Sequence, residues 1–115
     1  MFFTFDQNNS GGSFDFDAAR GISQCVIVEA ADAEEANRRA EEIGLYFDGE
    51  GDCACCGDRW SEQWSSDAGD DVPSVYGTPV ESGTVLLKWM GDNPDVFVHY
   101  LDGRVVEHHL PRRQL

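Results

Sequence analysis

Two short stretches of this 115-residue chain concentrate the side chains that could bind or react. The first is Gln7-Asn8-Asn9-Ser10-Gly11-Gly12-Ser13, where one Gln, two Asn and two Ser supply amide and hydroxyl donors. Gly11-Gly12 lets backbone N–H groups come close to a ligand, so such a loop can hold a phosphate or a base edge without a net positive charge. The plain alternative is an ordinary turn. A simple hairpin needs only about two to five loop residues, however, and here the connection runs on through Phe14 to Arg20.

The second stretch is Cys53-Ala54-Cys55-Cys56-Gly57-Asp58-Arg59-Trp60. Cys53 and Cys56 have the spacing of a zinc knuckle, but a structural zinc takes about four ligands, and no second C-x-x-C or paired histidine follows at the usual interval. His99, His108 and His109 would have to complete the site in space, and His99 and His108 read as sheet residues on the paired strands of a hairpin. A redox C-x-x-C opens a helix, which Gly57-Asp58 opposes. Buried thiols in a tight turn therefore stand beside zinc as the open readings. Arg59 is the one cation among the ten acids of residues 41–71. Either it pairs internally, or it is kept for an anion with Trp60 beside it to stack on a planar ring. Arg112-Arg113 reads as a solvated tail. No G-x-S-x-G, H-E-x-x-H or P-loop pattern is present, and among 22 acids an adjacency such as Asp70-Asp71 says little about catalysis.

The elements that must position these loops read as follows. Phe2 to Phe5 and Ile22 to Glu29 are predicted strands, the second through the apolar run Cys25-Val26-Ile27-Val28. Ala33 to Ile43 is a predicted helix, with Asp32 as cap, Glu35 completing a capping box and Gly44 as stop. Ala33, Ala36, Ala40 and Ile43 share its apolar face, and Glu34 with Arg38 and Glu35 with Arg39 are expected as i,i+4 pairs. Leu45 to Phe47 reads as a brief strand. Residues 48–83 give no periodic signal, although Trp60, Trp64 and Tyr76 predict partial burial. Thr84 to Met90, Val96 to Leu101 and Arg104 to Leu110 close the chain as an antiparallel meander, with Asp102-Gly103 as a two-residue hairpin turn. The expected fold is α+β, a single domain over residues 1–115 with a mostly antiparallel sheet, one helix packed on it and a long irregular cysteine-containing loop.

Composition bounds the rest. The formal net charge is -14, from 22 acids and 8 basic residues. Residues 1–40 hold seven acids and three arginines, residues 41–71 ten acids and Arg59, and residues 72–115 five acids and four bases, so the balances are -4, -9 and -1. So few cations exclude sequence-independent coating of a nucleic-acid polymer, which depends on Lys and Arg. A hydrophobic share of 41% with 11% aromatics is enough for a packed core. No apolar run reaches about 18 residues, and the opening Met1-Phe2-Phe3-Thr4-Phe5-Asp6 lacks a basic leader region. A cytoplasmic protein without membrane association is expected, with its cysteines as thiols or ligands rather than disulfides.

Taken together, an aromatic strand followed by Gln-Asn-Asn-Ser-Gly-Gly (within Phe2 to Phe14) and a later Asp-Cys-Ala-Cys-Cys-Gly-Asp-Arg-Trp (within Tyr46 to Trp60) resemble a family of small bacteriophage proteins. The resemblance covers roughly the first 60 residues. It further looks like the viral sponges that block cyclic-oligonucleotide-based antiphage signalling (anti-CBASS). That resemblance implies a non-enzymatic homo-oligomer, such as a tetramer, in the host cytoplasm, which sequesters a cyclic dinucleotide-type immune signal without cleaving it and carries no cofactor. It implies ligand contacts from Gln7, Asn8, Asn9, Ser10, Gly11, Gly12, Phe14, Arg59 and Trp60. Of these, Ser10, Gly11, Gly12 and Arg59 would meet phosphates, and Phe14 or Trp60 would stack on bases. Two other classes stay open from the residues themselves: an acidic DNA mimic using residues 41–71 against a host DNA-processing enzyme, and a small zinc-binding interaction adaptor.

Overall fold

A computed structural model describes residues 1–7, 15–47, 60–75, 77–84 and 91–111. Its elements in chain order are β1 (Phe2–Asp6), β2 (Cys25–Glu29), α1 (Ala33–Ile43), β3 (Ser74–Val75), β4 (Thr78–Pro79), a 3-10 turn (Val80–Ser82), β5 (Val96–His99) and β6 (Val105–His108). Four strands make one sheet in the order β1-β2-β5-β6, and β3 with β4 makes a separate small hairpin. The molecule is α+β, one helix on a mostly antiparallel sheet. β1 with β2 and β5 with β6 are antiparallel, whereas β2 and β5 run parallel. That parallel pair departs from the expected closing meander. Its reason lies in β2, whose residues Cys25 to Val28 are at most 2% exposed and need cover on both faces. A parallel neighbour demands a long crossover, which α1 and the residues after it supply.

Alternation along the strands sends Phe3, Phe5, Val26 and Val28 to one face, where Ala33, Ala36 and Ala40 of α1 meet them. The alanines let the helix approach the sheet closely, and Trp60 and Leu45 fill the end of this layer. Cys25, Ile27, Val96 and Val98 point the other way and are covered by Val75, Val80 and Leu110. The sheet is thus the middle of three layers.

Helix α1 starts where its sequence says. Asp32 accepts from the Glu35 backbone N–H at 2.8 Å, and Glu35 Oε1 accepts from Ala31 N–H at 3.0 Å. It ends at Gly44, φ 130°, with Gly44 N–H donating to Glu41 O and Leu45 N–H to Ala40 O. This wrap replaces the strand expected at Leu45 to Phe47. The expected ion pairs also differ. Arg38 stands 3.8 Å from Glu35. Arg39 leaves the helix surface and donates to Glu29 O at 2.6 Å and Tyr100 O at 3.2 Å. A planar guanidinium suits two carbonyls exposed at the ends of neighbouring strands better than a solvated carboxylate.

The β5–β6 hairpin closes by Tyr100 N–H to Arg104 O at 2.9 Å and Gly103 N–H to Tyr100 O at 3.1 Å, a three-residue loop with Gly103 at φ 94° rather than the two-residue turn expected. Along β1, Phe2 and Asp70 exchange two backbone bonds of 2.8 Å and Gln63 Nε2 donates to Thr4 O at 2.7 Å, which blocks that sheet edge. Trp60 is 1% exposed, but Trp64 is 76% exposed, against the burial expected of it. Tyr76 and the predicted strand beyond Thr84 lie outside the described residues.

Candidate functional site

The amide-rich loop leaves β1 at Gln7, and the structure uses that side chain internally. Gln7 is 8% exposed, Nε2 donates to Asp15 O at 2.7 Å and to Ser23 O at 2.9 Å, and Oε1 accepts from Asp15 N–H at 2.8 Å. With Gln7 N–H donating to Gln24 O at 3.1 Å, the residue stitches both ends of the 8–14 stretch to the start of β2. Expected as a ligand donor, Gln7 here has its primary amide matched to a backbone N–H and two carbonyls as the loop's clasp. Ser23, fully buried, donates to Pro94 O and ties the same junction to the entry of β5.

After Asp15 and Phe16 the chain makes a tight hairpin. Asp17 and Ile22 exchange two backbone bonds of 2.9 Å around the four-residue loop Ala18 to Gly21. Asp17 Oδ1 accepts from Arg20 N–H at 3.2 Å and Asp17 Oδ2 lies 3.5 Å from Arg20 Nε. Gly21 closes the loop at φ 73°. Its carbonyl receives Nε2–H of His99, 2.8 Å away and 6% exposed, which sets the Nε2-protonated tautomer because a carbonyl only accepts. Burial lowers the His99 pKa, and the nearby Arg39 charge acts in the same direction against that hydrogen bond. The neutral ring on β5 is thus a latch on the turn that carries Arg20.

The second stretch returns to described structure at Trp60. The segment that follows is held by an amide pair, Asn37 Nδ2 to Gln63 O at 3.0 Å and Gln63 N–H to Asn37 Oδ1 at 2.7 Å. Trp60 itself packs in the helix-side core. Expected as a stacking platform, Trp60 is 1% exposed, its indole enclosed by the protein. A large apolar ring gains more from burial beneath α1 than from exposure beside acids.

The Asp17–Ile22 turn and Trp60 border one depression of about 310 Å³, lined by Asp15, Phe16, Asp17, Arg20, Ile22, Gly44, Tyr46 and Trp60. Asp15 follows Ser13, the end of the first stretch, by two residues, Trp60 ends the second stretch, and Tyr46 lies seven residues before its first residue, Cys53. Phe16 and Tyr46 are half-buried, and Phe16 leans on Phe97 of β5 with ring centroids 6.3 Å apart. Gly44 leaves room for the guanidinium, since a Cβ there would stand 3.1 Å from Arg20 Nη1. The site offers apolar rings, one guanidinium and carboxylates, a set suited to a planar heterocycle with polar edges. Asn8, Asn9, Ser10, Gly11, Gly12, Phe14 and Arg59, with Cys53, Cys55 and Cys56, lie outside the described residues. Phe16, Asp17, Arg20 and Tyr46 were missed as site residues. The signal that could have found the turn is an Asp four residues before a Gly, an Asx-type hairpin cue.

A family described as a domain of unknown function, DUF7296, matches residues 1–114. The chain belongs to that family. No curated protein and no solved structure matches it. The DUF7296 match runs through both motif stretches and through every residue that anchors them, from Gln7 to Trp60.

Elsewhere the described chemistry is structural. Cys25 Sγ donates to Asp6 Oδ1 at 2.8 Å, and burial together with the Asp6 and Asp95 charges pushes its thiol well up, so it is a poor nucleophile. Among the described residues no group of three His, Cys, Asp or Glu side chains could hold a metal ion, and no helix is long and apolar enough to cross a membrane. A second depression of about 450 Å³ on the outer face of α1 is bordered by Asp32, Glu34, Glu35, Glu41 and Glu62 with Arg38.

Proposed function

We propose that this chain binds and sequesters a cyclic oligonucleotide immune signal, of the cyclic dinucleotide type, as a phage immune-evasion sponge, acting as a homo-oligomer in the host cytoplasm. The observation that carries the reading is one depression with aromatic walls and a guanidinium, lined by residues that flank both motif stretches in the sequence. About 310 Å³ lies at the low end for small-molecule sites, room for one base rather than a whole cyclic dinucleotide. The backbone and side chains of Asn8 to Ser13, with Arg59, are the groups proposed to meet the remainder of the ligand. Sequestration needs tight binding and no turnover.

Calorimetric titration of the whole protein with a panel of cyclic dinucleotides tests this. Binding at about micromolar strength or tighter, with the nucleotide recovered intact by chromatography, is the expected result. No heat and no thermal shift across the panel, or recovery of cleaved product, overturns it. A second reading, an acidic mimic of DNA, draws on the carboxylates around α1. It requires salt-sensitive binding to a basic DNA-processing protein.

A further inference from the structure

Two features of the depression bear on what lies in it. One wall carries an acceptor and a donor side by side, the Asp17 carboxylate and the Arg20 guanidinium, 3.5 Å apart. Their relative placement is set by backbone: Asp17 and Ile22 pair on both sides of the loop, Arg20 N–H holds Asp17 Oδ1, and His99 pins Gly21. The pair is open to water, with Arg20 64% and Asp17 44% exposed, so its mutual attraction is weak and easily redirected to a ligand. Beside it stand the rings of Phe16 and Tyr46.

We infer that this depression is a base-reading subsite selective for guanine, with Arg20 donating to the O6/N7 edge and Asp17 accepting from N1–H and N2–H. Guanine places an acceptor, O6, next to a donor, N1–H, and extends each into a pair. A guanidinium beside a carboxylate is complementary to that order. Adenine carries the reverse, a 6-amino donor next to the N1 acceptor, which sets donor against donor at Arg20 and lone pair against carboxylate at Asp17. The aromatic walls add stacking that every base shares and so provide affinity without discrimination. The carboxylate also explains why an acidic site would face the base and leave the phosphates to other groups, because Asp15 and Asp17 together outnumber Arg20 here.

The inference rests on nucleotide binding, and the test separates the two. Calorimetry of the whole protein with cyclic di-GMP, cyclic di-AMP, GMP and AMP is expected to give cyclic di-GMP at least about tenfold tighter than cyclic di-AMP, with GMP ahead of AMP. Asp17→Asn keeps the Oδ1 acceptor that Arg20 N–H uses, so it leaves the turn folded. It is expected to cut the guanine preference to within about threefold, while cyclic di-AMP affinity changes little. Tight binding of cyclic di-GMP and cyclic di-AMP with equal affinity, or an adenine preference, overturns the guanine assignment and leaves sequestration standing. A preference for guanine that Asp17→Asn and Arg20→Gln both leave intact overturns the residue assignment. Binding of none of the four overturns both.

Discussion

Gly21→Ala probes the latch between the sheet and the Arg20 turn. The residue sits at φ 73°, where an alanine costs about 1–2 kcal/mol. Its new Cβ would also lie 2.7 Å from His99 Cε1, 2.8 Å from Nε2 and 3.0 Å from Val105 Cγ1. His99 is 6% exposed, so the ring shifts at the expense of its 2.8 Å bond to Gly21 O, a further loss of about 1 kcal/mol or more. The expected destabilisation is about 3 kcal/mol, seen as a fall in the urea midpoint followed through the fluorescence of the buried Trp60. Gly103→Ala is the control. It has a comparable φ of 94° with nothing within 4 Å of its Cβ, so only the backbone cost of about 1–2 kcal/mol applies. Equal midpoints for the two variants would refute the packed-imidazole argument. A loss below about 1 kcal/mol for Gly21→Ala would refute the left-handed turn as well.

Four other outcomes follow from the same geometry. Gln7→Leu keeps the bulk but strips three hydrogen bonds from the clasp and leaves Ser23 O buried without that donor, so urea denaturation should show a loss of about 3 kcal/mol. Asp32→Ala removes the α1 cap and should cost about 1 kcal/mol by the same measurement, with a matching fall in helical circular dichroism on heating. Because His99 folds as the neutral ring with a lowered pKa, its contribution is full above its ordinary value of about 6.5 and declines as pH falls from there through the folded pKa; His99→Gln should flatten the urea midpoint over that window. Cys25, buried with a raised thiol pKa, should resist iodoacetamide in the native protein near pH 8 and label only in urea, as read by peptide mass mapping.

Much of the architecture is written locally. The helix is legible because Asp32, Glu35 and Gly44 are local signals that act within a few residues, and its three buried alanines sit on the spacing that makes one face. β1, β2 and the closing hairpin are legible for the same reason, each being a short apolar run beside a turn. The partnership of β2 with β5 is not, because nothing in Val96-Phe97-Val98 states which strand it will lie beside; that choice is made by β2, which needs cover on both sides. The same holds for Arg39, whose sequence neighbour Glu35 loses to two backbone carbonyls brought near only by the fold.

The site divides along the same line. Its loops are conspicuous in the sequence because amides, glycines and cysteines are clustered there, yet the residues nearest those clusters do structural work. Gln7 has the composition of a ligand donor and serves as a clasp, and Trp60 has the composition of a stacking platform and serves as core. An amide or an indole is equally suited to a ligand or to the protein's own interior, and burial decides which. Arg20 shows the converse. It lies in the unremarkable run Asp17-Ala18-Ala19-Arg20-Gly21, and only the turn that pairs Asp17 with Ile22, held by His99 from a strand 78 residues away, sets its guanidinium beside a carboxylate. The guanine assignment therefore depends on long-range positioning of ordinary residues. For that reason the comparison of cyclic di-GMP with cyclic di-AMP in the Asp17→Asn background probes the fold as directly as it probes the ligand.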